Sequence, residues 1–162
     1  MRSAFGTGET AEYRTERTMK TISRFFSELS TAELYEILRV RSEIFVVEQN
    51  CVYQDPDGRD CDSLHVFLEE NGRVLAYLRS FMKDSDTAQM GRVLTRPHGK
   101  GLGRELLRAG IEQIRIRQHP KRIFIEAQCY AAGFYEKAGF RICSETFMED
   151  GIPHIGMMLE LE

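Results

Sequence analysis

The sequence predicts a mixed α/β domain, an α+β sheet with helices on its faces, and three observations carry that prediction. Short apolar stretches with period-two alternation recur along most of the chain. Two segments carry helical spacing instead. A glycine-rich loop joins a strand to the longer of those helices. The implied order is β-α-β-β-β-α-β-α-β-β, which closes into a mixed sheet. At 162 residues the chain suits one domain with a real core rather than two.

Residues 1–18 are rich in Thr, Glu, Arg and Gly without periodicity, so they read as a flexible leader before a single domain over 19–162. A strand is expected from Thr21 to Leu29. Thr31 then caps a helix with Leu34, Ile37, Leu38 and Arg41 on one face, and the pattern breaks around Val46–Gln49. Asn50 to Asp62 reads as a loop because of Asp55-Pro56-Asp57-Gly58. Leu64, Val66 and Leu68 alternate up to Asn71-Gly72, a strong hairpin signal, and Val74, Ala76 and Leu78 return. A further strand spans Gln89 to Thr95. The second helix runs from Gly101 to about Gln118, with Gly103, Leu107, Gly110, Ile111 and Ile114 in its stripe. Its two glycines would let it lie close to a sheet. Ile123–Ile125 is a buried strand and Ala131 to Ala138 a short helix. Strands over Phe140–Phe147 and His154–Leu161 follow, joined by Glu149-Asp150-Gly151.

Composition narrows the function. With 25 acidic and 22 basic side chains the formal charge is −3, which excludes the basic excess of a nucleic-acid binder. The run Arg115, Arg117, Lys121, Arg122 reads as a solvated helix end or a contact for a cofactor phosphate. No apolar run approaches the roughly 20 residues that span a bilayer, and no signal segment opens the chain, so a cytoplasmic, membrane-free protein is expected. Cys51, Cys61, Cys129 and Cys143 form no Cys-x-x-Cys pair, so no zinc site is expected. Asp55, Asp57, Asp60 and Asp62 lack a calcium-loop frame, whose twelfth position here is Val66. No metal is expected.

The chemistry points to His98-Gly99-Lys100-Gly101-Leu102-Gly103-Arg104, between a strand and a helix. Glycines at a helix N-terminus bare its unpaired amides, which stabilise a pyrophosphate, and Lys100 and Arg104 add positive charge. A Walker A loop and a dinucleotide fingerprint both fail on spacing. On the loop alone, a phosphate cradle and a merely tight strand–helix turn stay equally open.

The loop resembles the Gln/Arg-x-x-Gly-x-Gly/Ala pattern of the GNAT superfamily of N-acetyltransferases, with His98 in the Gln/Arg place. Phe134-Tyr135-Glu136-Lys137-Ala138-Gly139-Phe140 is similar to the superfamily's Tyr-Glu-Lys-x-Gly-Phe signature. Leu38 to Gln49, Tyr53 to Gly58, and Glu149 to Met157 resemble its ElaA-type branch. The likeness covers nearly everything after Met19.

The resemblance implies a GNAT acyl-CoA N-acyltransferase fold, with acetyl-CoA as cosubstrate and direct acetyl transfer to a small-molecule amine or peptide acceptor. By resemblance, Val93, Leu94 and Thr95 pair with the pantetheine arm, His98 to Arg104 cradle the pyrophosphate, and Gln128 contacts the cofactor. Tyr135 stands in the place of a general acid and Glu126 in that of a base. Arg41, Glu48, Gln49, His65 and His154 are the acceptor-pocket candidates, and each also has a structural reading: Arg41 paired with a carboxylate, His65 as a satisfied strand histidine. Members of this fold often pair, so a homodimer is admitted. Two alternatives stay open: a CoA-binding regulatory module without catalysis, and an acyltransferase of the acyl-homoserine-lactone synthase type.

Overall fold

The computed structural model describes residues 18–96 and 101–162. The first seventeen residues, and His98, Gly99 and Lys100 of the glycine-rich loop, lie outside the described residues. So does the leader expected over 1–18, apart from Thr18.

The elements run in the expected order: β1 (Lys20–Phe25), α1 (Thr31–Arg41), β2 (Leu64–Glu70), β3 (Arg73–Met82), β4 (Thr87–Thr95), α2 (Leu102–Gln118), β5 (Arg122–Gln128), α3 (Ala132–Glu136), β6 (Arg141–Glu149) and β7 (Ile152–Glu160). The seven strands form one sheet in the order β1-β2-β3-β4-β5-β7-β6. Among the described residues only β4 and β5 are parallel, joined by the α2 crossover; every other pair is antiparallel.

Alternation along the strands buries both faces of the sheet. Leu64, Val66, Leu68, Ala76 and Leu78 point toward Leu106, Leu107 and Ile114 of α2. The opposite face offers Phe67, Tyr77 and Leu94 to Ile37, Val40 and Ile44. Gly110 sets the depth of the α2 contact: a Cβ there would sit 2.5 Å from Leu78 Cδ2, inside van der Waals contact. The helix therefore lies against β3 at a distance only glycine permits.

Two boundaries differ most from the sequence reading, that of the first strand and that of the short third helix. The first strand ends at Phe25 instead of Leu29, because Glu28 accepts a hydrogen bond from the Phe25 amide and pairs with Arg117, drawing the chain into a 3₁₀ turn. The first helix loosens after Arg41 into a π-helix over Ser42–Glu48 and so ends where the helical pattern breaks, around Val46–Gln49. The helix expected over Ala131 to Ala138 is regular only over α3, preceded by a 3₁₀ turn. Among the described residues no helix is long and apolar enough to cross a membrane.

Candidate active site

The parallel β4–β5 pairing lasts only from Thr87 to Met90 opposite Arg122 to Ile125. Beyond Met90 the register with β3 slips: Arg79 pairs with Gly91 but Tyr77 with Leu94, so β4 carries one residue more than β3. That is a β-bulge, and Arg92 takes it in the left-handed region at φ 53°. A non-glycine residue there costs roughly 1–2 kcal/mol. Hydrogen bonds from Arg92 to the Asp55 carboxylate at 2.8 Å and carbonyl at 3.0 Å offset the cost. The bulge turns β4 aside while β5 stays paired with β7 through Gln128. Between the parted strands opens a cavity of about 480 Å³.

One wall of the cavity is an arginine–aspartate lattice. Arg79 grips Asp57 with two bonds, at 2.7 and 2.6 Å, and reaches Asp60 at 2.8 Å. Arg41, fully buried behind the wall, donates to Asp60 at 2.6 Å and to Asp55 at 2.9 Å. Tyr53 adds a bond to Asp55 at 2.9 Å. The Arg79 bonds hold the Asp57 carboxyl well below the usual carboxylate range. Burial pushes Asp60 the other way, but the Arg41 and Arg79 guanidinium groups outweigh it and its pKa is also lowered. The aspartates of this loop thus bind arginines, which pin it to the sheet.

His65 completes this interior. Its Nε2 lies 2.9 Å from the Asp60 carbonyl, which can only accept, so Nε2 donates and Nδ1 receives the Tyr77 hydroxyl at 2.7 Å. Burial lowers the His65 pKa, favouring this neutral form.

The opposite wall comes from β5, α3 and the β6–β7 hairpin. Glu126 and Gln128 lie on the β5 edge that β4 has left, and Gln128 stands opposite His154 in the β5–β7 register. Tyr135 is only 7 % exposed yet lines the cavity, edge-on to Phe134 and Phe140. Burial pushes its phenol pKa upward, with the nearby Tyr130 phenol adding to the effect. Tyr135 therefore keeps its proton through the physiological range.

Of the glycine-rich segment, Gly101 to Arg104 are described, at the start of α2. Gly101 caps the helix in the left-handed conformation at φ 72°, and among the described residues no atom lies within 4 Å of where its Cβ would stand. The backbone there is open to close approach. A Cβ on Gly103 would meet Phe134 Cζ at 3.4 Å and Thr95 Cγ2 at 3.5 Å, so this turn packs between β4 and α3. Leu102 packs against the core and Arg104 is exposed.

The cavity therefore gathers Val93, Glu126, Gln128, Tyr135, Gln49 and His154 among the residues singled out from sequence. It does not include Arg41, His65 or Glu48. Arg41 and His65 are the interior partners just described, satisfied by Asp55, Asp60 and Tyr77 and cut off from the cavity. Glu48 is exposed on the π-helix, 4.0 Å from Arg96 at the far end of β4. Leu94 faces the α1 core. Sequence reasoning missed Arg79, Arg92 and Asp57 as wall residues. The signal was present in Arg79, a charge inside the apolar run Val74–Phe81, since a buried arginine requires a partner.

A profile of the Acetyltransferase (GNAT) domain matches residues 23–161. Escherichia coli ElaA is 38 % identical over 141 residues, 83 % of this chain and 92 % of ElaA. A UPF0039 protein of Schizosaccharomyces pombe is 35 % identical over 147 residues, 88 % of this chain and 98 % of its own length. The crystal structure of E. coli ElaA superposes with a TM-score of 0.83, covering 88 % of this chain and 100 % of the other. That of an acyl-CoA N-acyltransferase from Pseudomonas aeruginosa gives 0.81 at 30 % identity, covering 88 % and 99 %. A sheet parted at a β4 bulge, a glycine turn opening α2 and a buried tyrosine on the cleft thus coincide with close sequence kinship, and the chain belongs to the GNAT acetyltransferase family, among its acyltransferases.

Proposed function

We propose that this acyltransferase uses acetyl-CoA and passes the acetyl group directly to a primary amine of a small molecule or peptide. The observation that carries the reading is the parting of β4 from β5 after Met90, with Tyr135 buried on the cavity it opens. A strand edge without a neighbour suits an extended pantetheine arm, which would pair along Val93–Thr95. Gly101, with open space in place of a side chain, suits a pyrophosphate approaching the amides that begin α2. His98 to Arg104 would hold that group, and Gln128 would meet the cofactor from the β5 side.

Acetyl-CoA supplies the activated acyl carbon and a thiolate leaving group. Tyr135, its proton retained by burial, donates that proton to the departing sulfur. The acceptor loses its proton on the β5–β7 side, where Glu126 and His154 line the cavity. Gln49 faces the same space from the segment after α1 and would orient the acceptor.

Calorimetric titration with acetyl-CoA tests the binding half of this reading. Gly101→Asp sets a carboxylate against the pyrophosphate and should abolish detectable binding; unchanged affinity would overturn the assignment of the loop. Turnover tests the other half, because a regulatory module would bind acetyl-CoA without releasing thiol.

A further inference from the structure

His154 enters the cavity from β7 with a geometry that a packing role does not require. The residue is 8 % exposed, and its ring stacks on Phe147 with centroids 5.9 Å apart. Nδ1 lies 2.7 Å from the Ile152 carbonyl oxygen. A carbonyl only accepts, so Nδ1 carries the hydrogen, and the neutral ring keeps a bare lone pair on Nε2. Among the described residues Nε2 takes no hydrogen bond. The carboxylate beside it, Glu149 Oε2, is 3.7 Å away, beyond bonding distance. A buried imidazole thus presents an unpartnered acceptor nitrogen on the wall of the reaction cavity. Phe147 from β6 and Gln128 from β5 are registered against it, Glu149 reaches toward it from its place opposite Ile152, and Glu126, Asp150 and Tyr135 line the same space.

An amine acceptor arrives from neutral water as an ammonium ion, with no lone pair for attack, so a base must act first. We propose that His154 Nε2 is the base that deprotonates the acceptor, with Glu149 positioned to stabilise the imidazolium and carry its proton to water. The proposal rests on the acyltransferase reading above. Among the proton acceptors on this side, Glu126 is an exposed strand carboxylate, whereas His154 is held in one tautomer by Ile152.

The protons balance. His154 Nε2 takes one proton from the ammonium and becomes an imidazolium facing Glu149. That carboxylate's side chain is 51 % exposed and opens the way to solvent. The freed lone pair forms the C–N bond at the thioester carbonyl carbon and the C–S bond breaks. The thiolate takes the Tyr135 hydroxyl proton, and the Tyr135 oxygen recovers a proton from the new amide nitrogen. Ammonium and thioester become amide and thiol, with one proton released to water through His154 and Glu149.

The test uses the full chain with acetyl-CoA and three probe amines: n-butylamine, 1,4-diaminobutane and glycinamide. His154→Phe keeps a ring on Phe147 but removes the nitrogen. It should lower kcat by roughly 10²–10³-fold near neutral pH, with acetyl-CoA affinity by calorimetry unchanged. The deficit should shrink as pH rises toward about 10, where the simple amines shed their own protons. Glu149→Gln should give a smaller loss with the same pH trend. Ring ¹⁵N spectra of the native protein should show a protonated Nδ1 and a bare Nε2. A protonated Nε2 in the neutral ring, a deficit that does not change with pH, or no deficit would each overturn the assignment. Native protein that binds acetyl-CoA yet acetylates none of the amines would overturn the transfer reading, and the base with it. That failure is recognisable because it needs no variant.

Discussion

The two walls of the cavity hold similar numbers of charged and polar groups and use them in opposite ways. On the β3–β4 side Arg41, Arg79 and Arg92 meet Asp55, Asp57 and Asp60, three cations against three anions, each bonded to more than one neighbour. On the β5–β7 side Glu126, Gln128, Tyr135 and His154 face the cavity with their proton-bearing or proton-accepting atoms largely uncommitted among the described residues. A lattice whose charges are mutually satisfied cannot do proton chemistry, but it fixes the bulge that parts β4 from β5. The reactive wall can leave its groups unpaired because the other wall holds the opening in place.

The sharpest way to break this contrast is at Arg41. Arg41→Met leaves Asp55 and Asp60 buried with fewer partners, a loss of about 3–5 kcal/mol. Denaturant unfolding should show it, along with a Tm drop of roughly 10 °C for a chain of this size. A loss under about 1 kcal/mol would mean the lattice is dispensable. On the reactive wall the pattern reverses. Tyr135→Phe should lower kcat about 100-fold or more while stability and acetyl-CoA affinity stay near native. Native kcat across the pH range would remove Tyr135 from the proton path.

Acid separates the walls further. Asp57 and Asp60 titrate below the ordinary carboxylate range in the folded chain, and unfolded aspartate titrates near about 4. Their stabilisation is thus fully present above that unfolded value and is lost as pH falls from there toward the folded values. Stability should decline below about pH 4–5, and Asp57→Asn should flatten the decline measured by urea midpoints. An unaltered acid limb in that variant would contradict the role given to Asp57. The smallest effect is expected away from both walls. Gly110→Ala gains roughly 1 kcal/mol of helix propensity but drives a methyl into Leu78, with a net loss of about 1 kcal/mol.

Much of the fold was legible because local signals and tertiary structure agree. Asn71-Gly72 turns the β2–β3 hairpin with both residues at positive φ, and the glycine in the α2 stripe meets Leu78 as close packing requires. Tyr135, Gln128 and His154 could be singled out because each lies in a segment with a recognisable pattern. The lattice was not legible. Its partners are separated by 14 to 37 residues, and a sequence window records that Arg79 and Arg92 are charged but not what they meet. Arg41 and His65 carried two readings from sequence, acceptor contact and structural partner, and only their burial and their bonds to Asp55, Asp60 and Tyr77 place them in the interior. The early end of β1 follows from Glu28 and Arg117, 89 residues apart, which no local propensity encodes.

The most direct measurement follows free thiol and acetylated amine together when native protein is given acetyl-CoA and an amine panel. Acyl transfer at the parted strands predicts one thiol released for each amide formed, both slowed in parallel by Tyr135→Phe. Tight binding of acetyl-CoA with no thiol released across the panel would contradict it, and would make the cleft a place where the cofactor is held but not used.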